Sequence, residues 1–315
     1  MTFSDSIADE LHTLADYIRW GASQFNQANL YYGHGTNNAV DESLTLVLHA
    51  LHLKHGLAPE LFSGQLTSEE KQAVLKLFRA RIEKRLPVPY ITHEAMFAGE
   101  SYFVDERVLV PRSPIAELIA EDFAPWIEHE QVMNILDLCT GSGCIGIACA
   151  KAFPWAQVDA SDLSAEALEV AEINVQAHGV GDQVALYESD LFSNLPDTRY
   201  DIIVSNPPYV DSQDMADLPE EYQREPELAL ASGDDGLDAC VQILIEAKNY
   251  LSEQGILIIE VGNSAEALAY RFPEVPFLWL DFERGGHGVF LLTAAQCQEF
   301  NPIFIAESRD VEVGA

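Results

Sequence analysis

The stretch Asp137-Leu138-Cys139-Thr140-Gly141-Ser142-Gly143-Cys144-Ile145-Gly146 decides the fold. It follows a short apolar run at 132–138, which reads as a strand, and it opens a helix at 144–153. Its glycines let the backbone turn sharply and approach a ligand closely. The helix start behind them favours electronegative groups, because the first N–H groups of a helix lack intrahelical partners.

Outward from this loop the chain alternates strand and helix. Further strands are expected at 157–161, 184–188, 200–205, 255–261, 277–282 and 289–293, and helices at 164–178 and 237–251. Ser164 caps the first of these helices, with Glu166 in its first turn. Such alternation implies an α/β fold with a doubly wound, seven-stranded, Rossmann-like sheet. The last two strands are joined by Arg284-Gly285-Gly286-His287-Gly288, too short for a parallel crossover, so they are antiparallel neighbours.

Taken alone, Gly141-x-Gly143-x-x-Gly146 fits a dinucleotide loop as well as one for S-adenosylmethionine. Three features favour S-adenosylmethionine. Asp137 stands four residues before Gly141, where methyltransferases often carry an acid. Glu188-Ser189-Asp190-Leu191 follows the third strand, where an acid can meet an adenine amino group. The chain closes on strand, turn and strand instead of a second mononucleotide-binding half. Asp162, just after the second strand, is placed to accept both hydroxyls of a ribose. Cys139 stands where many methyltransferases have glycine, and the sequence leaves its backbone angle open. A nicotinamide oxidoreductase and a ligand-free strand–helix turn are the competing readings.

The stretch Asp201-Ile202-Ile203-Val204-Ser205-Asn206-Pro207-Pro208-Tyr209-Val210 is a buried-type strand ending in an amide, two prolines and an aromatic. In a doubly wound sheet ligands bind beyond the carboxyl ends of the strands, which puts residues 206–209 beside the glycine loop. These residue types suit transfer to a planar nitrogen, whose delocalised lone pair makes it a poor nucleophile. The Asn206 side-chain oxygen and the Pro207 carbonyl would accept its two N–H bonds. Pro207 and Pro208 fix the backbone, so the acceptors are in place before substrate arrives. Tyr209 offers a flat face for stacking. No strong base is needed, since the product nitrogen loses its proton once cationic.

With the glycine loop, Asn206-Pro207-Pro208-Tyr209 resembles the class I amino-methyltransferases, and within them the protein N5-glutamine methyltransferases. Val108-Leu109-Val110-Pro111-Arg112 resembles the segment before their catalytic domain, and Glu225-Pro226-Glu227-Leu228-Ala229-Leu230 with Gly233-Asp234-Asp235-Gly236-Leu237 their post-catalytic loop. One branch modifies the Gly-Gly-Gln glutamine of release factors, the other a glutamine on large-subunit ribosomal protein L-three. Tyr31-Tyr32-Gly33-His34-Gly35-Thr36 and Arg112-Ser113-Pro114 resemble the ribosomal-protein branch; the release-factor branch carries Arg-Pro-Asp-Thr-Glu at the latter place. The resemblance implies a basic ribosomal protein as substrate and S-adenosylmethionine as cofactor. It implies that Thr140, Gly141, Gly143, Asp162, Asp190 and Asn206 frame the cofactor pocket, with Asp137, Ser142 and Leu191 from the same loops. Asn206, Pro207, Pro208 and Tyr209 would hold the acceptor amide, and Arg112 and Glu117 would line the pocket mouth or form an interdomain salt bridge.

Residues 1–88 read as a helical substrate-recognition domain, 89–112 as a hairpin linker, 113–300 as the methyltransferase domain and 301–315 as a tail. Thr67 and Glu70 fit a capping box, and Pro87 and Pro89 stop the helix it opens. His49, His52 and His55 are spaced to share a helix face, but no carboxylate or Cys nearby completes a metal site, and none is expected.

Five cysteines without a Cys-x-x-Cys pair argue against a disulfide framework and a zinc knuckle. No apolar run of about 18 residues and no secretory signal occurs, so a cytoplasmic location and no membrane partner are expected. The formal charge of −34 repels nucleic-acid phosphates and suits a basic protein partner. It weighs against an adenine-N6 nucleic-acid methyltransferase, which the same tetrapeptide also fits, and no stable nucleic-acid binding is expected. A non-enzymatic assembly factor is the remaining alternative, disfavoured by the intact glycine loop.

Overall fold

The structure, a computed structural model, describes residues 3–313. Two compact units are present. The smaller contains residues 1–95, 104–106 and 219–225; the larger contains 96–103, 107–218 and 226–315.

The smaller unit is built on α1 (Leu14–Gln27), α2 (Ala39–Ala50), α3 (Ser68–Glu83) and α4 (Val88–Thr92). Both α1 and α3 open with full capping boxes, Thr13 with Asp16 and Thr67 with Glu70. Together α1, α2 and α3 bury Tyr17, Phe25, Leu46, Val74 and Phe78. α2 stops at Ala50, so only His49 is helical, and His52 sits in the left-handed region at φ 55°. The three histidines therefore do not share a helix face. Pro87 and Pro89 do more than stop α3: with Pro at its first turn, α4 occupies sequence expected to begin the hairpin.

Arg81 on α3 is fully buried in this unit. Its Nε donates to Glu42 Oε2 at 2.7 Å, its Nη1 to Glu221 Oε1 at 3.2 Å and its Nη2 to the Tyr31 carbonyl at 2.7 Å. Arg85 donates to the same Glu221 oxygen at 3.2 Å. Residues 219–225 thus fold with helices nearly 140 residues earlier.

In the larger unit the hairpin strands are β1 (Ala95–Phe97) and β2 (Glu100–Tyr102). The hairpin expected as a linker packs Phe97 and Tyr102 into this unit's core, against Ile115 and Ile145 among others. After α5 (Ile115–Ala120) come β3 (Asn134–Leu138), α6 (Cys144–Ala152), β4 (Gln157–Asp162), α7 (Ala165–His178), β5 (Val184–Glu188) and β6 (Tyr200–Ser205). Then follow α8 (Ser212–Asp217), α9 (Asp238–Glu246), β7 (Leu251–Glu260), α10 (Ala265–Arg271), β8 (Leu278–Trp279), β9 (Val289–Thr293) and α11 (Ala294–Val313). The seven-stranded sheet has the order β5-β4-β3-β6-β7-β9-β8, with β9 antiparallel to both neighbours. This is the expected doubly wound sheet. The order reverses between β3 and β4 on one side and β6 on the other, so the carboxyl ends of those strands flank a crevice.

Three boundaries differ from expectation. β7 starts at Leu251, four residues before the Gly255 that looked like its beginning; Gly255 sits at an irregularity in the pairing with β6, where a Cβ would fall 2.8 Å from the Tyr200 carbonyl. β8 is cut to the two residues Leu278 and Trp279, and farther on Glu283 and Arg284 donate their N–H groups to Glu117. The segment expected as a tail from 301 continues α11 past Pro302.

Candidate active site

A cavity of about 420 Å³ opens at the carboxyl ends of the central strands of the larger unit. Its floor is residues 139–142 after β3, and its flanks are 161–164 after β4 and 189–191 after β5. Asn206 and Pro208 contribute from just past β6, and residues 107–113 together with Leu228, Ala229 and 231–233 form further walls.

The glycine loop is held from below and from the side. Asp137 is fully buried; its Oδ2 accepts the Thr140 hydroxyl at 2.5 Å and the Gly146 N–H at 2.8 Å. A Cβ at position 146 would stand 3.1 Å from that same oxygen, so glycine there lets helix and strand close together. Asp137 is not among the cavity walls. Through these two bonds it fastens the glycine loop to β3. Gly143 is also absent from the walls: at φ 80° it caps α6, and a Cβ would crowd Ala171 of α7 at 3.2 Å. Gly141, at φ 54°, is the glycine that borders the cavity, with open space where a Cβ would point. Cys139 adopts the left-handed conformation at φ 58°, a region rare for residues with a Cβ. This answers the question its substitution for glycine raised: the cysteine takes up the glycine-like turn.

Asp162 lines the cavity, and both its oxygens are engaged. Oδ2 accepts the Gly141 N–H at 2.8 Å, and Oδ1 accepts the Ser164 N–H at 2.9 Å. Burial raises its pKa, opposed by these backbone N–H groups. Asp190 and Leu191 border the cavity from the neighbouring loop. Leu191 is itself at φ 46°, with its carbonyl accepting the Ser189 hydroxyl at 2.7 Å.

Asn206 carries the clearest chemical signal. Its Oδ1 is buried and has no hydrogen-bond partner among the described residues, while the residue lines the cavity. A buried amide oxygen without a donor is costly in a folded protein. Pro207 is buried, between Asn206 and Pro208, which both line the cavity. Tyr209 is half-buried, outside the walls, and fixed on three sides. Its hydroxyl donates to Glu260 Oε1 at 3.2 Å, its carbonyl accepts the Ser264 hydroxyl at 2.8 Å, and its ring lies on Gly262, where a Cβ would fall 2.5 Å from Cε2. One face of the Tyr209 ring therefore lies against Gly262.

Arg112 lines the cavity and donates to the Val110 carbonyl at 3.2 Å. Glu117 does not reach the cavity; it accepts the Glu283 and Arg284 N–H groups at 2.9 Å each. Sequence reasoning missed Ser113 and Glu260. Glu260 is buried, ends β7, and accepts the Ser113 hydroxyl at 2.5 Å. The available signal was a carboxylate closing an otherwise apolar strand, Gly-Ile-Leu-Ile-Ile-Glu at 255–260.

Comparison with known proteins fits this geometry. Residues 121–233 match the methyltransferase small domain family. The chain is 47% identical to the ribosomal protein uL3 glutamine methyltransferase of Francisella tularensis subsp. tularensis, over 95% of each chain. It is 50% identical to the protein of that name from Xanthomonas campestris pv. campestris, over 93% of this chain and 94% of the other. With an S-adenosylmethionine-type methyltransferase sheet, an amide-tipped β6 and relatedness along nearly its whole length, the chain belongs to the ribosomal protein uL3 glutamine methyltransferase family.

Proposed function

We propose that this protein transfers a methyl group from S-adenosylmethionine to the side-chain amide nitrogen of a glutamine in ribosomal protein uL3. The observation that carries this reading is the buried, partnerless Asn206 Oδ1 on the wall of a cavity that Asp162 also lines. A primary amide brings the N–H donor that oxygen lacks.

The residues present suit the cofactor. Asp162 retains lone pairs for ribose hydroxyls, Asp190 can accept from an adenine amino group, and Gly141 leaves backbone bare at the cavity edge. When bound there, S-adenosylmethionine supplies an activated methyl group on a sulfonium. Thr140, Ser142 and Leu191 complete the walls of that half.

The remaining work is positioning. Asn206 Oδ1 accepts one N–H of the glutamine amide, and the Pro207 carbonyl takes the other. Pro207 and Pro208 hold these acceptors in a fixed backbone, so little order is lost when substrate enters. Tyr209 anchors the motif to the end of β7. Arg112 also lines the cavity, where it can contact the acceptor chain or the cofactor's carboxylate. A chain of formal charge −34 suits a basic ribosomal protein as acceptor.

The test is incubation of the full chain with methyl-labelled S-adenosylmethionine and purified uL3, release factor or nucleic acid, followed by tandem mass spectrometry. Label on a uL3 glutamine is expected. Label confined to release factor or to nucleic acid overturns the assignment of substrate.

A further inference from the structure

We infer that Glu260 is a positioning residue for methyl transfer, clamping the Tyr209 end of the acceptor motif to Ser113 of the cavity wall. The inference rests on the function proposed above and adds a residue to it.

Two parts of the site that are far apart in sequence meet on one buried carboxylate. Oε1 takes the Tyr209 hydroxyl at 3.2 Å, and Oε2 takes the Ser113 hydroxyl at 2.5 Å. Ser113 is held from its other side as well, because its oxygen accepts the Ile115 N–H at 3.2 Å. That bond leaves its single hydroxyl hydrogen for Glu260. Asn206 lies three residues before Tyr209, with only the two prolines between them. Fixing the tyrosine therefore holds the backbone from which the Asn206 side chain projects.

A purely structural role accounts poorly for this group. Glu260 is 5% exposed, and the two hydroxyls that donate to it are uncharged. Burying a carboxylate in that way costs stability that an apolar side chain of similar volume would not. Burial accordingly raises its pKa, with the two hydroxyls and the nearby Arg112 opposing the rise. A costly group placed between the reaction motif and the cavity wall is explained by what it holds.

The test compares Glu260→Met, Glu260→Gln and Tyr209→Phe with the wild-type full chain. Glutamine can accept from one hydroxyl and donate to the other, so it preserves both contacts; methionine preserves neither. The first arm uses hydrogen exchange read by mass spectrometry and needs no substrate. Peptides covering 107–114 and 206–216 are expected to exchange at least about threefold faster in Glu260→Met, with little change in Glu260→Gln. Unchanged exchange in both peptides overturns the clamp. The second arm measures transfer to uL3. Glu260→Met is expected to lower kcat about tenfold, with KM for S-adenosylmethionine within about twofold and no further loss on adding Tyr209→Phe. Independent, multiplying losses overturn the clamp. Should Glu260→Met fail to fold, Tyr209→Phe removes one hydroxyl only and carries both arms. A wild-type chain inactive on uL3 refutes the proposed substrate, while the exchange arm still decides the clamp.

Discussion

The Asp162 carboxylate at the end of β4 accepts a 2.8 Å hydrogen bond from the Gly141 N–H of the loop after β3. One acid thus shapes the glycine loop and faces the cavity that the loop borders. Replacing it should loosen the pocket and remove its ribose acceptor together. For Asp162→Ala, calorimetric titration with S-adenosylmethionine should show affinity reduced about 10- to 100-fold, the range for loss of charge-assisted hydrogen bonds. Affinity within threefold of wild type would exclude Asp162 from the cofactor site.

Asn206 should behave oppositely. Its unpartnered oxygen is assigned to the acceptor amide, so Asn206→Ala should leave cofactor affinity nearly intact. Turnover should fall by about 10²–10³, as when one preorganised polar group is removed from a reaction centre. Steady-state kinetics with uL3, beside the same calorimetric titration, checks the split. Full turnover in this variant would remove Asn206 from the mechanism.

Arg81 is the stability-critical cation of the helical unit. Arg81→Ala leaves Glu42 without its arginine and Glu221 with Arg85 alone, both in buried surroundings. Breaking a buried pair in this way costs about 3–5 kcal/mol. Urea unfolding followed by helical signal should register that loss, and adding Glu42→Gln should restore part of it. A change below about 1 kcal/mol would mean that the pair is not buried in solution.

Asp137 sets a pH dependence with a definite sign. Burial, the leading cause, pushes its carboxyl from 3.8 up to about 7, against the lowering effect of the Thr140 and Gly146 hydrogen bonds. Between those values the folded chain keeps a proton that the unfolded chain has released, so this group's contribution to stability falls as pH rises through the window. The Asp137→Asn variant has no such titration, and its amide oxygen can still accept both hydrogen bonds. Its stability relative to wild type should therefore improve by a few kcal/mol, at most about 1.4 per pH unit, between about pH 4 and 8. Denaturant titrations at several pH values test this, and a constant difference would refute it.

The sequence reveals whatever is encoded locally. Residues 137–146 and 206–209 carry their turn chemistry and their chemical groups within a few positions, so both could be read directly. Their division of labour could not. Gly141 borders the cavity while Gly143 and Gly146 serve packing, and that follows from the approach of α7 and β3. Glu260 reaches the motif because β7 pairs beside β6, with Ile259 opposite Ser205, and only sheet register brings it there. Glu117 looked available for the pocket because its two backbone partners, Glu283 and Arg284, lie 166 and 167 residues away. The histidine spacing at 49, 52 and 55 misled because nothing in it records that α2 stops at Ala50.

The excursion of residues 219–225 into the helical unit has a genetic consequence. The polypeptide leaves the catalytic fold within ten residues of Tyr209, contributes Glu221 and its neighbours to the other fold, and returns. No single cut in the gene can separate the two bodies cleanly. A fragment starting near residue 96 would strand Glu220, Glu221 and Glu225 without the Arg81, Arg85 and His34 they pair with. Exchanging the smaller unit between related enzymes therefore requires moving three separate pieces of coding sequence, for residues 1–95, 104–106 and 219–225.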